Sequence, residues 1–94
     1  MYVYRYAEVK ASRLNLEFIV AAKDRESAIK KLGIAYQDFY KHGMETKNNY
    51  CLDVALGNKG VIFYRKSGSD DVLKPLPKDV STVDMCEKIA DQIF

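Results

Sequence analysis

Leu14-Asn15-Leu16-Glu17-Phe18-Ile19-Val20-Ala21-Ala22 decides how the rest of this chain is read. Successive side chains of a strand point to opposite faces. Leu14, Leu16, Phe18, Val20 and Ala22 therefore share one wholly apolar face, and Asn15, Glu17, Ile19 and Ala21 take the other. Just upstream, Tyr2–Lys10 alternates in the same way. Tyr2, Tyr4, Tyr6, Glu8 and Lys10 share one face; Val3, Arg5, Ala7 and Val9 share the opposite one. Ala11-Ser12-Arg13 between the runs is short enough for a hairpin, although it lacks the Gly or Asn that tight hairpin turns favour.

Downstream, the period changes from two to that of a helix. Asp24 is a good N-cap, because its carboxylate can accept from a free N–H of the first turn, and Glu26 complements the helix dipole. Ala28, Ile29, Leu32, Tyr36, Phe39 and Tyr40 follow at helical spacing. Gly33 inside that pattern marks a kink or a close approach to the sheet, and Gly43 is a plausible stop. Residues 44–49 read as a polar loop.

The same order then recurs. Tyr50–Leu56 and Val61–Lys66 alternate on either side of Gly57-Asn58-Lys59-Gly60, which is strong turn chemistry. Pairing across it puts Leu52, Val54, Leu56, Val61 and Phe63 on one face. Val72–Pro77 is extended, since Pro75 and Pro77 forbid a helix, and proline is tolerated only at a sheet edge. Ser81 opens a last helix as N-cap with Asp84 three residues on, and Val80 and Met85 are placed for a hydrophobic staple. Val83, Cys86, Ile89, Ala90, Ile93 and Phe94 form its apolar face.

The order ββαββα defines an α+β domain spanning residues 1–94: a two-layer sandwich of one antiparallel four-stranded sheet, with a possible fifth short edge strand, and two helices on one face. The expected core is Leu16, Phe18, Val20, Leu32, Leu52, Val54, Phe63, Met85 and Ile89. Register decides where the tyrosines go. A two-residue turn sets Ala7 opposite Phe18 and sends the tyrosines outward. A loop one residue longer sets Tyr6 opposite Phe18 and sends them in. Glu8 and Lys10 share the tyrosine face, which favours tyrosines outside.

Composition narrows the function. At 94 residues there is room for one core, and 48% apolar residues is too many for disorder. No apolar run approaches the ~20 residues of a membrane helix, and Met1–Arg5 does not resemble a signal peptide, so a cytoplasmic protein is expected. Net charge is +2, with nine Lys/Arg against six Asp/Glu in residues 1–47 and six against seven in residues 48–94. A dedicated DNA binder shows a stronger basic bias. Cys51 and Cys86 lack metal-binding spacing and read as reduced, buried thiols.

Chemistry-bearing patterns are scarce. His42 sits at a helix end without a partner acid or nucleophile in a recognisable motif. Glu8-Val9-Lys10 resembles the tail of a nuclease metal site but has no acidic residue upstream. Asp70-Asp71 reads as a solvated turn. Gly57–Gly60 has GxxG spacing, but it joins two runs read as strands rather than two helices. No catalytic residue, metal site or cofactor is therefore expected.

What remains is a surface. Tyr2, Tyr4, Tyr6, Ile19, Ile62, Tyr64 and Lys66 are the candidate interface on the outer sheet face. Tyrosine suits contact surfaces because it is large, rigid and polar at its tip. The expectation is a small non-enzymatic binding module, an adaptor or inhibitor such as phages and plasmids carry. Its partner would be another protein or a second copy of itself, with no membrane involved. The alternative is a single-stranded RNA- or DNA-binding domain that stacks bases on the same tyrosines.

Overall fold

The computed structural model describes residues 1–8, 16–82 and 84–85. Its first two runs pair as antiparallel strands, β1 (Tyr2–Glu8) and β2 (Leu16–Ala22), with Tyr6 opposite Phe18 and Tyr4 opposite Val20. The register is the one that turns the tyrosines inward. Tyr4 and Tyr6 are buried beside Leu16, Phe18, Val20 and Ala22, and the outward placement expected from Glu8 and Lys10 is overturned. Lys10 and the 11–13 link lie outside the described residues.

Two helices follow where one was expected. α1 (Arg25–Leu32) is capped by Asp24, whose side chain accepts the Ser27 N–H at 2.8 Å. The Ser27 backbone N–H, with the Ser27 side chain beside it, lowers the pKa of the Asp24 carboxyl from its ordinary value. Gly33 ends the helix at φ 68°, in the left-handed region that lets its N–H reach back to the carbonyls of Ile29 and Lys30. α2 (Tyr36–His42) then begins anew and runs without a loop into β3 (Gly43–Glu45). Ala28, Ile29 and Leu32 of α1 and Phe39 of α2 bury the first face of the sheet.

Gly43 is demanded by close approach. A Cβ there would sit 2.5 Å from the ring of Phe39, which is buried in the first cluster, so the ring would have to shift. Gly43→Ala is expected to cost about 1–3 kcal/mol through overpacking. Gly57→Ala meets open space at the end of a helix and is expected to be neutral or slightly stabilising. Comparing the two urea midpoints checks this; equal midpoints would show that Phe39 yields.

The largest departure from the sequence reading is α3 (Asn49–Gly57), which occupies the span read as the first strand of a second hairpin. Asn48 caps it by accepting the Cys51 N–H at 3.1 Å. Cys51 and Ala55, four residues apart, form its buried stripe. Phe63 then starts β4 (Phe63–Lys66), which pairs with β2, and β5 (Lys74–Pro75) pairs with β4. The edge position expected for the proline stretch is thus observed. A helical turn opens at Thr82, with Ser81 Oγ accepting the Asp84 N–H at 3.1 Å. Val83, Cys86 and Ile89–Phe94 lie outside the described residues.

One antiparallel sheet results, in the order β3-β1-β2-β4-β5, and the α+β class holds. The expected placement of the helices on one face is not observed, because α3 packs against the opposite side of the sheet from α1 and α2. Val3, Ile19, Ala21 and Phe63 pack with Cys51, Ala55 and Leu73 in a second cluster on the α3 side. Leu16, Phe18, Val20, Leu32 and Met85 belong to the first cluster and Phe63 to the second, where Leu52 and Val54 pack at its margin. All seven residues of β2 are buried as a result.

Candidate contact surface

Covering both faces of β2 redistributes the expected interface residues. Tyr4 and Tyr6 are interior on the α1–α2 side, and Ile19 is interior on the α3 side. They cannot share an exposed platform. Ile62 and Tyr64 are half-buried against the first cluster. Tyr2 and Lys66 are exposed, but they lie on different strands, β1 and β4, separated by β2. The continuous tyrosine face is therefore absent, and Tyr2 is the one tyrosine of that set left open to solvent at 50%.

A different aromatic surface takes its place. Tyr36 and Tyr40, one turn apart on α2, stack with centroids 6.1 Å apart and planes at 29°. They are 46% and 64% exposed, so α2 turns Phe39 to the core and these two rings to water. The Arg25 guanidinium lies 5.7 Å from the centre of the Tyr40 ring, a cation–π distance. Glu26 hydrogen-bonds the Tyr36 hydroxyl and raises that phenol above its ordinary value. Tyr2 leans on Tyr4 at 6.4 Å, and Tyr4 meets Phe39 edge-on at 6.0 Å. Aromatic rings thus run from the start of β1 across to α2. Burial, reinforced by Glu45 and opposed by Arg25, raises the Tyr4 phenol. Nearby, Lys47 pairs with Glu45 at 2.6 Å. Charges of both signs are interleaved with the tyrosines.

The sequence did carry a signal for this surface. Tyr36, Phe39 and Tyr40 all fit one helical spacing, yet 36 and 40 lie one turn apart and reach solvent while Phe39 turns to the core. A single long helix hid the distinction, because the break at Gly33 resets which positions face the sheet.

The second notable group is buried. Glu17, 3% exposed, lies on the α3 side of β2 between Arg5 of β1 and Arg65 of β4. Its two oxygens accept from the two Nε atoms, Oε2 from Arg5 and Oε1 from Arg65 at 2.6 Å. Arg5 also donates to Ser67 Oγ at 3.1 Å. Arg65 donates to the Asp71 carbonyl at 3.2 Å and to Cys51 Sγ at 3.8 Å, and lies 5.7 Å from the Tyr50 ring centre. Burial pushes the Cys51 thiol up despite the pull of Arg65, so at neutral pH it stays protonated and weakly nucleophilic. His42 is half-buried at the end of α2.

Among the described residues, no three His, Cys, Asp or Glu side chains come together as a metal-ligand set. No helix there is long and apolar enough to cross a membrane. The chain matches no protein-family model, and neither a curated protein nor a solved structure matches it.

Proposed function

We propose that this chain is a small non-enzymatic binding module acting through protein–protein contacts, with Tyr2, Tyr36, Tyr40 and Arg25 as its contact surface. The observation that carries the reading is the exposed, stacked Tyr36–Tyr40 pair with Arg25 over one ring. Tyrosine and arginine are among the side chains most enriched where partners bind tightly, tyrosine as a large rigid contact and arginine as a planar group with several donors. The mixed charges around the rings, Arg25 and Lys47 against Glu26 and Glu45, suit a protein partner or a second copy better than a phosphate backbone. Base stacking on an open sheet face loses its support, because helices cover both sides of β2.

The test is affinity capture from the source cells, with and without nuclease, alongside sedimentation of the purified protein. Wild type is compared with the double variant Tyr36→Glu/Tyr40→Glu. Both rings are exposed, so the double variant should stay folded and lose only about 1–2 kcal/mol of unfolding free energy with the stacking, the Arg25 contact and the Glu26 hydrogen bond. Captured protein, or self-association, should fall at least tenfold. The same partner at the same yield would move the site elsewhere. Nuclease-sensitive binding that weakens steeply with salt would replace a protein partner by nucleic acid.

A further inference from the structure

We draw no further inference here: the strongest candidate, the open groove of about 670 Å³ between Leu32–Gly33 at the end of α1, Pro75–Pro77 and Val80–Thr82, carries nothing because nothing in the structure shows what covers it.

Discussion

Phe18→Ala is expected to destabilise the fold by about 3–5 kcal/mol, a large share of the ~5–15 kcal/mol that holds a domain folded. Phe18 has no exposed surface and lies at the centre of the first cluster, among the side chains of α1, α2 and β1. Truncation removes its burial energy and leaves a cavity that a strand held by neighbours on both sides cannot collapse to fill. Ile19, its neighbour, is equally buried but faces α3, and Ile19→Val, which removes one methylene, should cost only about 0.5–1.5 kcal/mol. Urea unfolding of both variants decides the point. A loss under 1 kcal/mol for Phe18→Ala would mean that the first cluster is not packed as described.

That one strand serves two clusters also explains what could be read from the sequence. The helix cap at Asp24, the N-cap at Ser81 and the edge placement of Pro75 were all legible, because each depends on a few adjacent residues and one local hydrogen bond or steric exclusion. The register of the first hairpin depends on coverage that alternation cannot report. When both faces are buried, an inward and an outward face look alike. Phe18-Ile19-Val20-Ala21-Ala22, five apolar residues in unbroken sequence, was the available sign of a strand covered on both sides. Reading Ile19 and Ala21 as exposed left them without a partner, and α3 is that partner.

The helix over Asn49–Gly57 was missed for a related reason. Leu52, Val54 and Leu56 alternate, but Cys51 and Ala55 are also one turn apart, and a short apolar run fits either period. The arbiter was Asn48, a residue type that caps helices, three positions before Cys51. With the span read as a strand, the sheet gained a member and lost the cover for its second face. The expected tyrosine platform needed that second face to be open as well as the outward register suggested by Glu8 and Lys10, and α3 covers it.

Glu17→Ala is expected to cost about 3–5 kcal/mol, because it strands two guanidinium groups whose shared carboxylate is gone. The group is one carboxylate between two cations, so its members are not equivalent. Arg5 keeps 28% of its side chain in solvent, while Arg65 keeps 11% and also serves Asp71 and Cys51. Removing Arg5 leaves Glu17 paired with Arg65, so Arg5→Ala should cost less than about 2 kcal/mol. Arg65→Ala should fall between the two, since it also frees a bond that joins β4 to the Ser67–Leu73 stretch, itself held to α3 by the Leu73 N–H donating to Tyr50 Oη at 2.9 Å. The expected order of unfolding midpoints is therefore wild type, Arg5→Ala, Arg65→Ala, Glu17→Ala. An Arg5→Ala loss as large as that of Glu17→Ala would show that the carboxylate is not the shared partner. Ionic strength supplies a second check. Exposed pairs such as Lys47–Glu45 are screened within a Debye length of ~3 Å at 1 M salt, whereas charges beneath the protein surface are screened far less. The deficit of Glu17→Ala against wild type should accordingly persist in 1 M salt, because what the variant loses is compensation for buried charge rather than attraction across water.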